Sequence, residues 1–216
     1  MNPVRSGIIF AAILAACLAA CLAPDAEAQW GDYCSTATTA APVGSSPVLY
    51  NLPNGEGAPL TRARTTAGLV DATITLTLFD YGCMPVANFA ASDMWLEKSV
   101  AAGTGNFTSC AGGTIADANT DAAGVTRWTN PLRAGGWSTS KTLVVINGAA
   151  LSSNSGLVLR HNSADINGDR VVDLADIPLF AADYGTTALR SDLKFDGVVN
   201  ISDIPLMTAA LGAVCP

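Results

Sequence analysis

The chain of 216 residues has little charge and few aromatic side chains: charged residues make up 13% of it and aromatic residues 6%. Its 11 Lys and Arg residues form no basic cluster and are outnumbered by 18 Asp and Glu, which gives a formal net charge of −7. A nucleic-acid partner is therefore not expected, because proteins that bind phosphate backbones present a concentrated positive surface. Downstream of the N-terminal segment no run is apolar and long enough to cross a bilayer, so no transmembrane segment is expected.

The longest apolar run lies at the N-terminus, in MNPVRSGIIFAAILAACLAACLAPDAEAQ. It spans about 13 residues, which is too short for a bilayer core of about 30 Å. One Arg before it and small residues up to Ala28 after it predict a signal peptide over residues 1–28, with the mature chain starting at Gln29. A second interpretation stays open, because Leu-Ala-Ala-Cys, ending at Cys17 and again at Cys21, resembles a bacterial lipobox. The predicted location is secreted, or the cell surface if the chain is a lipoprotein.

Four cysteines follow the predicted signal peptide: Cys34, Cys83, Cys110 and Cys215. In an oxidising compartment an even number of cysteines predicts disulfides, here two, and three pairings are open. The C-x-x-C spacing of metal and redox sites does not occur among them. We expect Cys83–Cys110 within the central part of the chain and Cys34–Cys215 joining its ends.

The central part of the chain has the pattern of short β-strands. Residues 71–79, DATITLTLF, alternate Ile and Leu with Thr, as in an antiparallel strand with one face on a core and the other in water. No helical period occurs before about residue 174. Residues 29–46 predict an irregular lead-in, and residues 47–160 predict an antiparallel β-sandwich. The other strands are expected near Val48–Asn51, Asp93–Glu97, Gly124–Thr129, Thr142–Asn147 and Gly156–Arg160.

Three pieces of this region, LVDATITLTLFDYGCMPVANF, TDAAGVTRW and GGWSTSKTLVVI, resemble bacterial Ig-like domains of the invasin type. The resemblance rests on the turn sequences between the strands and implies an Ig-like sandwich. Such domains serve as spacers, adhesive modules or polymer subunits, and their fold carries no chemistry by itself.

Residues 165–176, DINGDRVVDLAD, form an acidic stretch of calcium-loop length. Ca²⁺ takes six to eight oxygen ligands, and a twelve-residue loop supplies them from positions 1, 3, 5, 7, 9 and 12. Position 8 is Val172, an aliphatic residue of the kind that packs against a partner loop. Position 6 is Arg170 instead of Gly, so a left-handed backbone there would cost about 1 kcal/mol. The predicted ligands are Asp165, Asn167, Asp169, the Val171 carbonyl, Asp173 and Asp176.

This loop is repeated with an offset of 27: residues 164–185 and 191–212 share ten identities in 22 positions. We expect each last Asp to N-cap a short helix, with Pro178 or Pro205 in its first turn and Gly185 or Gly212 at its end. Lys194 stands at a ligand position of the second loop, which predicts a weak or empty metal site there. The remaining ligands of that loop would be Asp192, Asp196, the Val198 carbonyl, Asn200 and Asp203.

Two loop–helix units with Asp at position 12 and no preceding helix resemble the type I dockerin module, over about residues 164–213. The resemblance implies calcium-dependent folding and, in cellulosomes, docking onto a cohesin domain. Dockerins select the partner partly through loop positions 10 and 11, and most of these residues here are not the small hydroxyl residues of cellulosomal dockerins. An alternative is that they pack on the protein's own sandwich. These candidate partner-binding residues are Leu174, Ala175, Ile201 and Ser202.

Catalysis is the rival interpretation, because dockerins often accompany glycoside hydrolases, which need two facing carboxylates. The acidic residues of the central region lie mainly at predicted turns, where Asp more often bonds the backbone. The single histidine, His161, is expected in a linker, and Trp95, Trp128 and Trp137 in a core rather than on a sugar-stacking platform. The acidic candidates are Asp71, Asp80, Asp93, Glu97, Asp117 and Asp121.

The sequence therefore predicts a mainly β, secreted, non-enzymatic calcium-binding protein: an Ig-like antiparallel sandwich followed by a small α-helical, dockerin-like pair of calcium loops. Its expected role is extracellular docking, on a cohesin-like or self-association partner or on an extracellular polysaccharide. Two alternatives stay open. One is a structural subunit of a surface layer or fibre, and the other is an accessory component of a polysaccharide-degrading assembly.

Overall fold

The computed structural model describes residues 30–100, 105–153 and 155–216, so the predicted signal peptide and lipobox lie outside the described residues. The fold is mainly β with two short helices. None of the helices in the described part is long and apolar enough to cross a membrane. The elements are β1 (Thr36–Thr39), β2 (Val48–Asn51), β3 (Ala63–Thr65), β4 (Gly68–Val70), β5 (Ile74–Thr77), β6 (Met94–Lys98), β7 (Thr108–Ser109), β8 (Val125–Trp128), β9 (Ala134–Gly135), β10 (Thr142–Ile146), β11 (Ala149–Ala150), β12 (Arg160–Ser163), α1 (Asp176–Asp183) and α2 (Ile204–Ala210).

Residues 30–163, here called the β-region, form several small sheets, and residues 164–216, the repeat region, carry both helices. The strand orders are β1-β5-β8, β11-β10-β6, β12-β2-β3-β4 and β7-β9. These pairs are antiparallel except that β12 runs parallel to β2. The expectation of an all-antiparallel arrangement is wrong at this pair. Because β12 reaches β2 from the far end of the β-region, no hairpin dictates opposite directions there.

Most of the expected strands are confirmed, within a few residues at their ends, by β2, β5, β6, β8 and β10. In β5 the Ile74 and Leu76 side chains are fully buried while the neighbouring threonines are partly exposed, as the alternation predicts.

Two expectations about the limits of the β-region are wrong. Residues 156–160 do not form a strand, since Leu157 makes only an isolated bridge to Thr142 and the strand begins at Arg160. Residues 29–46 are not an irregular lead-in, because β1 lies within them and pairs with β5. Its one apolar inward residue, Ala37, is small enough that the sequence gives almost no hydrophobic pattern, yet it is buried in the core.

Strand β2 lies between two hydrophobic cores and joins the β-region to the repeat region. Successive side chains of a strand point to opposite faces. Leu49 packs into the main core of the β-region, whereas Tyr50 and, just after the strand, Leu52 pack into a second core with residues of the repeat region. The second core also contains Ala164, Ile166, Val172, Phe180, Leu193, Val199, Met207, Ala210 and Ala213.

Among the described residues there are two disulfides, Cys34–Cys83 and Cys110–Cys215, so the expected pairing is wrong although the four cysteines that follow the predicted signal peptide are all used. Strand pairing, not order along the chain, decides which cysteines meet. Pairing of β1 with β5 brings Cys34 beside the turn that contains Cys83, with Cα atoms 5.6 Å apart. Cys215 lies beside the first acidic loop, where its amide donates to the carbonyl of Arg170 at 3.3 Å, and this loop packs near Cys110.

Candidate metal centre

The first acidic loop is organised by two carboxylates that are fully buried, Asp165 and Asp176. Asp165 accepts hydrogen bonds from the backbone amides of Gly168, Asp169 and Arg170, at 2.8, 3.2 and 2.8 Å. Asp176 accepts from the amides of Ile166, Asn167 and Asp173, at 2.7, 3.0 and 3.0 Å. The carboxylates of the first and last loop residues therefore fix the loop conformation through hydrogen bonds from its backbone amides.

The second loop repeats this scheme with the same offset of 27. Asp192 accepts from the amides of Asp196 and Gly197, at 3.1 and 2.9 Å. Asp203 accepts from the amides of Lys194 and Asn200, at 2.8 and 2.9 Å. The duplication seen in the sequence is thus also a duplication of hydrogen bonds.

The two units are related by a pseudo-twofold exchange of backbone hydrogen bonds. The position-8 residue of each loop, Val172 or Val199, pairs with the segment that follows the other unit's helix. Gly212 donates to Val172 at 2.8 Å, as Gly185 donates to Val199 at 2.8 Å, and each valine amide donates back to the next residue of that segment. Both valines are fully buried in the second core. Each loop is therefore fixed by the other unit.

The expected N-cap position of the last Asp is wrong for Asp176 and confirmed for Asp203, which directly precedes α2. Neither Asp176, the first residue of α1, nor Asp203, the residue before α2, makes a side-chain capping bond to its helix. Their carboxylates turn back into the loops. The expected glycine stops are confirmed, because Gly185 and Gly212 follow the helices with φ of 80° and 88°.

Position 6 of the first loop has the left-handed backbone that was expected: Arg170 has φ of 75°, and the equivalent Gly197 has φ of 98°. A non-glycine residue in this conformation costs about 1 kcal/mol. Position 4 is left-handed as well, with Gly168 in the first loop and Phe195 in the second. Each loop therefore carries one strained non-glycine residue.

Burial raises the pKa of Asp165 to about 6, in spite of the amide hydrogen bonds from Arg170 and Gly168, which lower it. Asp176 and Asp169 raise that pKa further, because like charges disfavour ionisation. Burial also raises the pKa of Asp176 above its ordinary value. Neither carboxylate forms an ion pair, since the one ion pair found among the described residues joins Arg190 to Asp183. The first loop thus concentrates buried negative charge without a side-chain cation bound to it.

The donor chemistry of the first loop fits Ca²⁺, because every predicted ligand is a hard oxygen and two of the carboxylates are buried. The side chains of Asp169 and Asp173 are exposed and make local bonds. Asp169 accepts from the Val171 amide at 3.0 Å and from the side-chain amide of Asn167 at 2.8 Å, and Asp173 accepts from the Ala175 amide at 2.7 Å. Within the described residues no group of three or more His, Cys, Asp or Glu side chains is arranged to hold a metal ion. Calcium binding at the first loop stays a prediction.

Lys194 of the second loop is exposed, and its ammonium makes no ion pair among the described residues. It therefore does not fill the place of a metal ion between Asp192 and Asp203. Burial raises the pKa of Asp192, whereas the Ser202 hydroxyl, which donates to Asp196 at 2.8 Å, lowers the pKa of that exposed carboxyl. The second loop presents fewer carboxylates than the first, as its sequence indicates.

Residues of the β-region contact both loops, and these contacts were not predicted from the sequence. A β-carbon at Gly135 would collide with the Asp165 carboxylate, so β9 can approach the first loop only with glycine there. Asn106 donates to the carbonyl of Ile166 at 3.0 Å, and Arg64 donates to the carbonyl of Leu193. All three lie more than 25 residues from the loop they touch, and no motif marks them.

Three of the four residues at loop positions 10 and 11 are exposed to solvent. Leu174 is 79% exposed and Ile201 74% exposed, Ala175 is exposed, and Ser202 is partly buried. The alternative that the apolar pair packs on the protein's own β-region is therefore wrong. Ile177 and Ile204, three residues further along the chain in each copy, are also exposed, at 37% and 39%. Each unit thus presents an apolar side chain at loop position 10, and another three residues later, to solvent.

The acidic residues considered for catalysis serve local bonds. Asp71, Asp80 and Asp121 accept hydrogen bonds from backbone amides of their own turns, as expected of turn aspartates. Asp117 accepts from the amide and the hydroxyl of Thr129, directly after β8. Asp93 accepts from the Ser92 hydroxyl, and Glu97 accepts from the Trp95 indole at 2.7 Å.

The tryptophans and the histidine do not form one surface. Trp128 is fully buried, with its indole donating to the Thr114 carbonyl at 3.0 Å, whereas Trp95 and Trp137 are partly buried. His161 does not lie in a linker. It is fully buried in β12 and bonds Asn51 and Thr142, at 3.1 and 2.8 Å.

No protein-family model matches the chain, and no curated protein matches it.

Proposed function

We propose that this protein is an extracellular, calcium-binding, non-enzymatic docking protein whose repeat region is a dockerin-like module. The observation that carries the proposal is the pair of acidic loops, which repeat the same carboxylate-to-amide bonds and exchange backbone bonds across a pseudo-twofold axis. Paired calcium loops need such mutual support, because a single loop–helix unit buries too little apolar surface to be stable alone. The two disulfides are compatible with an oxidising, extracellular location.

In the first loop, Asp165, Asn167, Asp169, the Val171 carbonyl, Asp173 and Asp176 would hold the ion. Bound calcium supplies a double positive charge that offsets the crowded carboxylates. The chain's own contribution is to fix Asp165 and Asp176 by backbone amides, so that only the exposed ligands need to rotate toward the ion. Because the unfolded chain holds no such site, calcium binding would stabilise the fold.

The test is the calcium dependence of thermal unfolding in two matched variants. Asp173→Asn keeps the local bond that Asp173 accepts from the Ala175 amide, at 2.7 Å, and removes one negative charge. Asp121→Asn makes the same change in a β-region turn, where Asp121 accepts from the amides of Ala123 and Val125. We expect calcium to raise Tm, and Asp173→Asn to weaken the calcium affinity about ten-fold while Asp121→Asn leaves it unchanged. No calcium response in the parent protein, or equal effects of both variants, would contradict the proposal.

Docking onto a protein partner is the role that we infer for the exposed apolar side chains of the repeat region. Leu174 and Ile201 stand at equivalent positions of the two copies, and solvent reaches most of each side chain. Exposed large apolar side chains are typical of protein interfaces, whereas polysaccharide sites rely on stacking aromatic rings. Among the large exposed apolar side chains of the repeat region, Tyr184 is the one aromatic residue. We propose that the partner is a domain of the cohesin type. The alternative partner is a second copy of this chain, and the test below distinguishes the two.

The docking test compares Leu174→Ser combined with Ile201→Ser against Val43→Ser, a fully exposed position of the β-region. Binding to an immobilised cohesin domain and sedimentation of the protein alone are measured in calcium. We expect the double variant to lose cohesin binding, with Val43→Ser unaffected. Loss of self-association instead would identify a second copy as the partner. Binding only to polysaccharide, unchanged in the double variant, would refute protein docking through this surface.

The absence of catalysis and the Ig-like nature of the β-region belong to the same proposal. The bonding of the acidic candidates to turn amides supports a structural role for them. Polysaccharide turnover by the purified protein would overturn the non-enzymatic assignment if substitution of one acidic residue of the β-region abolished it.

A further inference from the structure

The β-region touches the two loops at equivalent carbonyls but with side chains of different charge. Position 2 of the loops is Ile166 in the first copy and Leu193 in the second. The carbonyl of Ile166 accepts from the neutral amide of Asn106 at 3.0 Å. The carbonyl of Leu193 accepts from the guanidinium of Arg64. The pseudo-symmetry of the repeat is thus broken by one positive charge from the β-region.

Several contacts hold this charge beside the second loop. Arg64 lies in β3, half-buried, with its guanidinium carbon 5.5 Å from the ring centroid of Tyr50, which belongs to β2. Burial lowers the pKa of Arg64, and the neighbouring Tyr50, Asp203 and Asp192 oppose that shift. Asp192 and Asp203 are almost fully buried, and no side-chain cation pairs with them within 4 Å among the described residues.

We propose that Arg64 is the resident counter-cation of the second loop: it stabilises that loop without metal and disfavours a divalent ion there. The bond to the Leu193 carbonyl holds the guanidinium beside the buried side chains of Asp192 and Asp203, and Coulomb interactions are weakly screened in a partly buried site. The same charge repels an incoming Ca²⁺. The effect on stability without metal stands alone, whereas the effect on calcium affinity rests on the calcium function proposed above.

The experiment uses the full protein and three variants. Arg64→Gln removes the charge, and Arg64→Lys keeps a charge while losing the planar guanidinium that donates to Leu193 and covers Tyr50. Arg127→Gln is the control, because Arg127 is exposed on β8 and its loss changes the net charge equally.

In excess chelator, we expect Arg64→Gln to unfold about 5 °C below Arg127→Gln, because two buried carboxylates lose their counter-charge. In calcium titrations, we expect Arg64→Gln to bind at the second loop at least about ten-fold more tightly than the parent, with Arg64→Lys close to the parent. Asp192→Asn added to Arg64→Gln should remove that gain. A merely structural role of Arg64 would lower Tm but would not increase calcium affinity.

Equal Tm of the Arg64→Gln and Arg127→Gln proteins in chelator would overturn the proposal, whether or not the protein binds calcium. An unchanged second-loop affinity in Arg64→Gln, or an equal gain in Arg64→Lys, would overturn it as well. If the parent protein binds no calcium at all, the proposed function fails, and Arg64→Lys in chelator decides the rest. A Tm close to that of the parent shows that the charge of residue 64 stabilises the second loop, whereas a Tm as low as that of Arg64→Gln overturns the proposal.

Discussion

Removal of the Cys110–Cys215 disulfide is expected to damage the first loop as well as overall stability. This bond closes a segment with a sequence separation of 105 residues, and the loop-closure entropy of a segment that long corresponds to about 4.7 kcal/mol. For a chain of this size that loss lowers Tm by at least about 10 °C. Cys215 also lies beside the loop, because its amide donates to the Arg170 carbonyl at 3.3 Å.

The control is the other disulfide, Cys34–Cys83, whose separation of 49 residues corresponds to about 4 kcal/mol in the same model. It joins β-region segments and touches neither loop. Alanine pairs replace each disulfide in turn, and calorimetric unfolding and calcium affinity are measured. Both pairs should lose comparable stability, whereas only the Cys110/Cys215 pair should lose calcium affinity. Equal calcium affinity in the two alanine pairs would refute the claim that Cys215 braces the first loop.

Two further predictions concern processing and pH. The secreted form should start at Gln29, and a mass that matches a lipid-modified Cys17 or Cys21 would instead indicate a membrane anchor. Burial lowers the pKa of His161 from 6.5 to about 3, so the folded state keeps this side chain neutral while the unfolded chain takes up a proton. Its contribution to stability is therefore complete above pH 6.5 and falls as the pH drops toward 3, by roughly 5 kcal/mol in all. Denaturant unfolding of His161→Gln should show a weaker loss over this range, and an unchanged pH profile would contradict the assignment.

The fold could be predicted from the sequence where a local pattern is strong. The Ile and Leu alternation of β5 and the repeated spacing of aspartates define their elements without help from distant residues. The prediction failed where distant parts decide the outcome. Ala37 in β1 carries too little hydrophobic signal to mark a strand, and the disulfide partners are set by strand pairing that the cysteine spacing does not encode.

The candidate site shows the same limit. The carboxylates at the first and last loop positions were predictable, because the loop length fixes them. The β-region residues that contact the loops were not predictable, because Gly135, Asn106 and Arg64 reach the loops only through the packing of the β-region against the repeat region. The helix-capping prediction failed for Asp176 because a buried carboxylate can satisfy either the helix or the loop, and here the loop offers three amides.

Calorimetric titration of chelator-stripped protein with calcium tests the central claim most directly. The first loop has four carboxylates at ligand positions. The second has three, with Asn200 in the place of Asp173 and the exposed Lys194 in the place of Asn167. We predict one strong binding event per chain. Asp165→Ala should abolish this event, and Asp192→Ala should leave it unchanged. Two equally strong events, or one that survives Asp165→Ala and disappears with Asp192→Ala, would contradict the assignment of calcium to the first loop.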